Sequence, residues 1–568
     1  MLTKLKLHVA EKIKGELGLT VDEVVPLMET PKQLDHGHLA MPVFFLAKTL
    51  KKAPPLIAKE LSEKIKGLQL PGLLSVTPVN GYINFQFSDK HLQDLLLEAV
   101  RTEGDRLGHS SLGAGKTVVI DFSSPNVAKP MHIGHLRATV IGQAICNLAR
   151  SQGYNVIGIN HLGDWGVQFG KLAYAYQKWG SEYPFATEPF ESLYKLYVRF
   201  HDEAELDPEI EKEGSLMFKR LEDGDEGIAD LWRMFVDVSM QDYNRLWAML
   251  GVKHELVRGE SFYNDRLKAV EDRLQKLGLL EESEGAVVVK LDDADMPPCL
   301  IRKSDGASLY ATRDLASAIY RKEELGADLN LYVVGAEQTL HFKQVFKVLE
   351  KMGYEWAKDC HHVSFGMYRF KDVGKMSSRK GNVIFLEDVL RRAIDMVKEV
   401  IESKNPDLDD KDEVAKKVGV GAIVFNDLIN DRVKNVDFDW DRVLDFEGDS
   451  GPYVQYVCVR CESILRKYGK AVPPSMPVDL DSSEERELVK ILLSYPEILN
   501  VAFKGFKPNV LAHYLLDVCR AFNHFYHKCR VLGVEPEVEA ARIALVSATL
   551  AVLKNGLKLL NIETPKAM

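Results

Sequence analysis

The order strand, loop, helix, strand within residues 117–160 limits the fold more than any other feature of this chain. TVVIDF (117–122) and YNVIGIN (154–160) are continuous apolar runs of strand length. Between them, HIGHLRATVIGQAICNLARSQG has apolar residues at helical spacing and ends near Gly153. Such a strand–helix–strand unit is the building block of a parallel sheet. The sequence therefore predicts an α/β core.

The segments on either side of this unit differ in pattern, which predicts several domains. An alternating strand, GYINFQF, and amphipathic helices lie within the first hundred or so residues, before a Gly/Ser-rich stretch. The α/β pattern resumes at NLYVVGA (330–336), and helical patterns dominate after VGKMSSRKGN. We predict a multidomain α/β protein. A small α+β domain at 1–105 is followed by a Rossmann-type parallel-sheet domain at 106–385, which contains a mostly helical insertion at about 170–295. A helical connector at 386–445 then leads to an all-α domain at 446–568.

The length and composition of the chain limit its class. Its 568 residues, 46% hydrophobic and 27% charged, suit three or four globular domains and exclude a mainly disordered or collagen-like chain. A net charge of −10 argues against a nonspecific DNA-binding protein, although local basic surface can still meet phosphates. No apolar run approaches the roughly 18 residues of a membrane span, and the N-terminus lacks the pattern of a signal peptide. We therefore expect a cytoplasmic protein.

The cysteines give a weak signal for metal binding. Seven are present, and Cys458 and Cys461 form a CxxC pair within a segment that indicates a helix. No second CxxC completes a four-cysteine zinc site, so we expect no bound zinc. A metal or redox role stays open, and two small buried side chains are the favoured interpretation.

The segment from Pro125 to His135 carries the sharpest chemical signal. His132 and His135 are three residues apart, so they share a face of the first turn of the predicted helix. Backbone N–H groups and the helix dipole favour anions there, and two imidazole donors would strengthen the binding of a triphosphate. Gly134 leaves room for a flat base, and Lys129 adds a mobile cation. The alternative is a pair of histidines that only cap a helix.

A basic motif, KMSSRKGN (375–382), follows the last predicted α/β strand. Its cations, serines and glycine favour a mobile phosphate-binding loop. Taken alone, the motif is better explained as an ordinary solvated basic loop, so its weight as a functional signal depends on the first motif.

Together the two motifs resemble the HIGH and KMSKS signatures of class I aminoacyl-tRNA synthetases. HIGH matches letter for letter, whereas Ser378 stands where KMSKS has its second lysine. Longer segments resemble the arginyl-tRNA synthetase family and occur in that family's order: SSPNVAKPMHIGHLRATVIG, HLGDWGVQFG (161–170), LYATRD (309–314), VVGAEQTLHF (333–342) and YLLDVCRAFNHFYHKCRVL (514–532). The resemblance covers essentially the whole chain.

The resemblance implies a ligase that joins L-arginine to tRNA(Arg) for protein synthesis. Arginine would attack the α-phosphate of Mg²⁺-bound ATP, diphosphate would leave, and the arginyl group would pass from the adenylate to tRNA with release of AMP. The first domain would contact tRNA, the C-terminal helices would bind the anticodon, and the protein would be a monomer. Lys129 would take the place of the missing lysine. The implied catalytic residues are Lys129, His132, His135, Lys375 and Arg379, and the implied ATP-binding residues are His132, Gly134, His135, Lys129, Lys375, Met376 and Ser377.

Selecting arginine requires acceptors arranged for a planar guanidinium with five donors. Tyr310 and Asp314 are four residues apart and would share a helical face. Asp314 alone would be better explained as a helix-surface charge, and its phase with Tyr310 favours a binding role. Both match the family's guanidinium-binding pair. The full set implied to bind arginine is Asp121, Asn126, His132, Tyr310, Asp314 and Gln338.

Two alternatives and one open interpretation remain at this point. A different class I enzyme with a HIGH motif is disfavoured by the LYATRD and GDWG segments. A paralogue that binds tRNA without catalysis is disfavoured by the intact motif residues. Four aromatic residues near the C-terminus could stack on unpaired bases or belong to a helical core: Tyr453, Tyr456, Phe522 and Tyr526.

Overall fold

The computed structural model describes residues 1–31, 36–67, 69–302, 310–369 and 384–568. Internal contacts divide the chain into two compact units. The terminal unit comprises Met1–Ser110, Val454–Lys504 and Val510–Lys558, and the central unit comprises Ser111–Tyr453, Gly505–Asn509 and Leu559–Met568. The N-terminal segment and most of the C-terminal region therefore form one unit, whereas the predicted α/β core and the last ten residues belong to the other.

The N-terminal part of the terminal unit is a small α+β module. Its elements are α1 (Leu2–Leu17), α2 (Val21–Leu27), β1 (Leu39–Pro42), α3 (Ala47–Leu50), α4 (Pro54–Ile65), β2 (Leu73–Val79), β3 (Tyr82–Phe87) and α5 (Asp89–Glu103). The strands form an antiparallel sheet in the order β1-β3-β2. Ile83, Phe85 and Phe87 of β3 are fully buried, which accounts for the apolar pattern of GYINFQF.

The central unit carries the α/β core and its insertion. Its elements are β4 (Thr117–Asp121), α6 (Ile133–Ser151), β5 (Asn155–Asn160), α7 (Val167–Trp179), α8 (Pro189–Leu206), α9 (Pro208–Glu222), α10 (Glu226–Met249), β6 (Leu256–Val257), α11 (Asn264–Lys276), β7 (Leu280–Ser283), β8 (Ala286–Leu291), β9 (Met296–Arg302), α12 (Tyr310–Glu323), β10 (Leu329–Tyr332), α13 (Thr339–Lys351), β11 (Cys360–His362), β12 (Tyr368–Arg369), α14 (Leu386–Lys404), α15 (Lys411–Leu428), β13 (Val436–Asp437) and α16 (Trp440–Val443).

A five-stranded parallel sheet lies at the centre of this unit, in the order β11-β10-β4-β5-β6. Val118, Val119 and Ile120 of β4 are completely buried, because the strand has neighbours on both sides and helices on its faces. The predicted Rossmann-type core is therefore confirmed. From β4 the chain proceeds to β5 and β6 on one side and later to β10 and β11 on the other. The strand order reverses between β4 and β10, and open α/β sheets bind their ligands in the crevice at the carboxyl ends of the strands at such a point.

The insertion is less uniformly helical than the sequence indicates. Helices α7 to α11 occupy most of it, but β7, β8 and β9 form an antiparallel sheet over residues 280–302. The prediction of a mostly helical insertion therefore holds, and this sheet at its end is a feature that it did not include. Glu284 and Gly285 both have positive φ, at 53° and 77°, and they close the β7–β8 hairpin. The acidic residues before this turn obscured the strand pattern in the sequence.

The C-terminal part of the terminal unit is helical. Its helices are α17 (Gly451–Tyr468), α18 (Ser483–Leu493), α19 (Tyr495–Lys504), α20 (Pro508–Lys528) and α21 (Pro536–Leu559). The side chain of Gln93 from α5 donates to the carbonyl of Leu480 at 2.8 Å and accepts from the N–H of Leu480 at 3.3 Å. Lys6 of α1 also pairs with Glu497 of α19 at 2.9 Å. The N-terminal module and the C-terminal helices therefore pack together.

Helix α21 is the one helix among the described residues that is long and apolar enough to cross a membrane by length and composition. Within the protein, 61% of its most apolar stretch is buried. Burial of this kind is typical of a helix in the core of a bundle, and one such helix is weak evidence for a membrane span.

The cysteine pair and the aromatic residues of these helices occupy different environments. Cys458 and Cys461 are fully buried, and burial raises the pKa of Cys458 to about 12, as expected for small packed thiols. Phe522 belongs to the core, whereas Tyr456 and Tyr526 are more than a third exposed. The interpretation as core residues therefore suits Phe522, and the two exposed tyrosines are available to a partner.

Candidate active site

The HIGH histidines form the N-terminal cap of α6. His132 is the N-cap residue, and its Nδ1 accepts from the N–H of Gly134 at 3.1 Å. The Nδ1 of His135 accepts in turn from the N–H of His132 at 3.0 Å, and the ring centroids are 4.0 Å apart. This is a capping box built from imidazoles. Because each Nδ1 is an acceptor, each neutral ring carries its proton on Nε2 and offers that N–H as a donor.

Burial keeps both imidazoles neutral. The pKa of His132 is lowered by burial and by the nearby charge of Lys129. The pKa of His135 is lowered to about 3, mainly by burial and also by its neighbours His132 and Lys129. The cap therefore offers uncharged donors at neutral pH, and the positive charge at the helix mouth comes from Lys129 and the helix dipole.

Gly134 is required by the geometry of this cap. A Cβ atom at residue 134 would lie 2.7 Å from Cε1 of His132, closer than real contacts allow. Any larger residue would displace the His132 ring and break the cap.

The loop that precedes the cap is held by α10 of the insertion. Ala128 has a positive φ of 60°, and its N–H donates to Oγ of Ser239 at 3.0 Å. The hydroxyl of Tyr243 lies 2.6 Å from the carbonyl oxygen of Asn126 and 2.8 Å from that of Lys129. Helix α10 thus fixes the backbone of two predicted site residues. No motif in the sequence marked Ser239 or Tyr243.

Asp121, at the carboxyl end of β4, is part of a buried ion pair. Its Oδ2 accepts from Nη2 of Arg321 at 2.7 Å, and its Oδ1 accepts from the hydroxyl of Ser124 at 2.8 Å. Burial is the largest influence and would raise the pKa of Asp121, but the charge of Arg321 and the hydrogen bonds from Arg321 and Ser124 act together to lower it. Arg321 is completely buried and stacks over the ring of Tyr332, 4.6 Å from the centroid. Asp121 therefore stays ionised at the base of the crevice.

Asp314 lies on the first turns of α12, and its Oδ2 is 2.5 Å from Nε2 of His341 on α13. Gln338 is exposed in the short 3-10 turn directly before α13. Tyr332, paired in register with Asp121, also lies within electrostatic reach of Asp314. Asp121 and Asp314, both predicted to bind arginine, thus lie within electrostatic reach of the same residue, Tyr332, at the end of β10.

Glu260 is a further acidic group beside this site that the sequence analysis missed. Burial raises the pKa of Glu260 to about 8; Arg313 opposes this shift, and Asp164 and Asp314 add to it. Asp164 of the HLGDWG segment fixes the position of Glu260, because it accepts from the N–H of Ser261 at 2.8 Å and from its hydroxyl at 2.6 Å. A carboxyl group held largely neutral beside a second acid is a typical feature of a functional site.

Several predicted residues lie outside the described residues. They are the side chain of Tyr310 and the motif residues Lys375, Met376, Ser377 and Arg379. The chain directly after the motif is described: the N–H of Ile133 donates to the carbonyl of Ile384 at 3.0 Å, and the N–H of Leu386 donates to that of Met131 at 2.9 Å. The segment following the basic motif therefore runs along the mouth of α6.

Sequence families account for nearly the whole chain. The family described as "tRNA synthetases class I (R), catalytic domain" matches residues 93–440. The chain belongs to the arginyl-tRNA synthetase family. "Arginyl tRNA synthetase N terminal domain" matches residues 3–87, and "DALR anticodon binding domain" matches residues 454–568.

Individual relatives of this synthetase agree with the family assignment. The arginine–tRNA ligase of Clostridium perfringens is 47% identical over 563 residues, 99% of each chain. The structure of Thermus thermophilus arginyl-tRNA synthetase matches with a TM-score of 0.83 at 26% identity and covers 100% of both chains. That of Plasmodium falciparum arginyl-tRNA synthetase matches with a TM-score of 0.78 at 26% identity and covers 99% of both.

The fold and activity predicted from the sequence are thereby confirmed. The protein is an enzyme that ligates L-arginine to tRNA for protein synthesis, with ATP as a substrate. A different class I enzyme and a non-catalytic paralogue are both excluded by the full-length similarity to arginine–tRNA ligases. Among the described residues, no group of three or more His, Cys, Asp or Glu side chains forms a candidate metal site.

Proposed function

We propose that arginine is activated in the crevice at the carboxyl ends of β4 and β10, with the α6 cap on one side and Asp314 on the other. The observation that carries this proposal is the meeting of an anion-binding helix mouth and a cluster of acids at the reversal of the strand order. The first suits the phosphates of ATP, and the second suits a guanidinium.

At the phosphate side, His132 and His135 donate from Nε2 to phosphate oxygens, and Gly134 leaves the cap open to the adenosine. Lys129 supplies the mobile cation. Its Nζ rests 5.0 Å over the ring of Tyr197, a weak contact that it can leave for a phosphate. By resemblance to the family, Lys375, Met376, Ser377 and Arg379 close over the phosphates from the other side. Mg²⁺ arrives as part of the Mg²⁺–ATP substrate.

At the amino-acid side, Asp314 and Glu260 provide the acceptors for the guanidinium, and by resemblance Tyr310 joins them. Two carboxylates suit a planar fork with five donors better than they suit a lysine ammonium. The α-amino and carboxyl ends of arginine meet Asp121, Asn126, Gln338 and His132, again by resemblance. A site built to hydrogen-bond its substrate rejects an analogue that leaves buried acceptors unpaired.

The reaction then needs little covalent chemistry from the protein. The carboxylate of arginine attacks the α-phosphate, diphosphate leaves, and the arginyl group passes from the adenylate to the terminal 2′-hydroxyl of tRNA(Arg). Positioning and stabilisation of the charge on the phosphates by Lys129, His132 and His135 lower the barrier.

The wider assignments follow from the resemblance and the matched segments. Residues 1–105 contact tRNA, residues 446–568 bind the anticodon, and residues 386–445 connect them to the catalytic domain at 106–385. The family segments at 3–87, 93–440 and 454–568 support this division. The enzyme acts as a monomer in the cytoplasm.

The test is arginine-dependent exchange of pyrophosphate into ATP, with and without tRNA(Arg), and with lysine and glutamine as controls. The Asp314→Asn variant raises the KM for arginine at least tenfold, since a charged hydrogen bond is lost. Asp272→Asn on the surface of α11, where Asp272 pairs with Lys268, is the matched control and leaves the KM unchanged. An equal KM in Asp314→Asn and wild type contradicts the guanidinium assignment.

A further inference from the structure

His341 makes a short, partly buried contact with Asp314 that the proposed chemistry does not use. Its Nε2 lies 2.5 Å from Oδ2 of Asp314, and the two side chains are 24% and 18% exposed. The ring of His341 is held on α13 next to Phe342, with centroids 5.4 Å apart. The contact is therefore between two restrained side chains on different helices.

The surroundings of Asp314 make His341 its partner for orientation. Asp314 also lies within electrostatic reach of Glu260, Cys299 and Tyr332. Each of these ionises to an anion, so none supplies a positive charge to the carboxylate. Burial would lower the pKa of His341, but the hydrogen bond and charge of Asp314 outweigh it and raise the pKa. The carboxylate of Asp314 thus favours the protonated form of the His341 ring, which donates from Nε2.

The contact leaves one oxygen of Asp314 for a ligand. Among the described residues, Oδ1 has no hydrogen-bond partner, whereas Oδ2 is taken by His341. A carboxylate turns readily about its last torsion, and a fixed donor on one oxygen removes this freedom. A planar guanidinium depends on that orientation more than a point-like ammonium does.

We infer that His341 is a positioning residue for arginine selection, which holds the carboxylate of Asp314 in the orientation that the substrate guanidinium needs. The inference rests on the proposed role of Asp314. It assigns no contact between His341 and the reacting atoms, so its loss affects arginine recognition and leaves ATP binding intact.

The test compares two substitutions of His341 in pyrophosphate exchange. His341→Leu removes the donor, and it raises the KM for arginine about tenfold while the KM for ATP stays within twofold, since one charged hydrogen bond is lost. His341→Gln places an amide N–H near the position of Nε2 and keeps the KM for arginine within about threefold of wild type. His361→Leu, at an exposed histidine on β11, is the matched control and changes neither KM.

A double-mutant cycle with Asp314→Asn shows whether His341 acts through Asp314. In that background His341→Leu adds less than a twofold change in the KM for arginine. A full tenfold effect there, an equal rise in both KM values, or no effect of His341→Leu in wild type overturns the inference. If Asp314→Asn itself leaves the KM for arginine unchanged while wild type exchanges normally, the proposed role of Asp314 has failed, and the inference falls with it.

Discussion

The raised pKa of Glu260 predicts that arginine binding releases a proton. With a pKa of about 8, the carboxyl group is mostly neutral at pH 7 in the free enzyme. A guanidinium pairs with the ionised form, so binding lowers this pKa and expels the proton. The affinity for arginine therefore rises as the pH rises toward 8, and it levels off above that value.

The size of the effect follows from the ionised fraction. For a pKa near 8, about one tenth of Glu260 is ionised at pH 7 and about one half at pH 8, and the apparent Kd is the intrinsic Kd divided by this fraction. The Kd for arginine therefore falls about fivefold between pH 7 and pH 8. At pH 7, close to one proton leaves for each arginine bound.

The assay is calorimetric titration of arginine into the enzyme between pH 6.5 and 8.5, in pairs of buffers with different ionisation enthalpies. The difference in heat between the buffers counts the protons released. Glu260→Gln serves as the control, because any titration of the substrate itself persists in it. Because Asp314 also raises the pKa of His341, the variant His341→Gln is titrated beside the others, and it separates any proton contributed by His341 from that of Glu260. Identical proton counts in wild type and Glu260→Gln would refute the reasoning.

Three further substitutions test how the site is held and used. Lys129→Ala lowers the rate of arginine activation in single-turnover exchange at least tenfold, which corresponds to about 1.4 kcal/mol in the activation barrier. A near-normal rate would assign the phosphate contacts to other cations. Tyr243→Phe removes the hydroxyl that contacts the carbonyl oxygens of Asn126 and Lys129. It lowers kcat/KM about fivefold and the free energy of unfolding by about 1 kcal/mol. Asp427→Ala removes the carboxylate that lies 3.1 Å from the buried guanidinium of Arg137, and it lowers the free energy of unfolding in urea by about 3 kcal/mol. The double variant Arg137→Met/Asp427→Leu removes both charges and regains most of this loss.

The parts of the fold that follow from local pattern were predictable. Strand β4 and helix α6 were predicted within about two residues at each end, because one is a buried apolar run and the other has a clear 3.6-residue period. The β7–β8 hairpin was not predicted. Its turn needs a positive φ at Glu284, and a glutamate is not a residue type that indicates such a turn.

The supporting residues of the site were not predictable in the same way. Tyr243 lies more than a hundred residues after Asn126, and His341 lies on a different helix from Asp314. Tyr243 lies in a segment that no motif marks. His341 lies within VVGAEQTLHF, but nothing in that segment indicates its contact with Asp314, which arises from tertiary placement. The resemblance to a family supplied the residues expected to touch substrate, but it indicated neither which groups hold them nor the ionisation state of Glu260.

The geometry of the α6 cap shows that helix capping and phosphate binding, the two interpretations of the HIGH histidines, do not compete for the same atoms. Capping uses Nδ1 of His132 and His135, and phosphate binding needs a donor, so the two roles fall on opposite nitrogens of the same rings. Capping in fact enables the second role, because an Nδ1 that accepts a backbone N–H forces the proton onto Nε2. A residue such as serine would cap equally well but would not extend a rigid donor beyond the cap. With the proposed phosphate contacts, the requirement for histidine comes from the use of both nitrogens, one in the cap and one toward ATP. For that reason the start of the helix alone could not have distinguished a structural motif from a catalytic one.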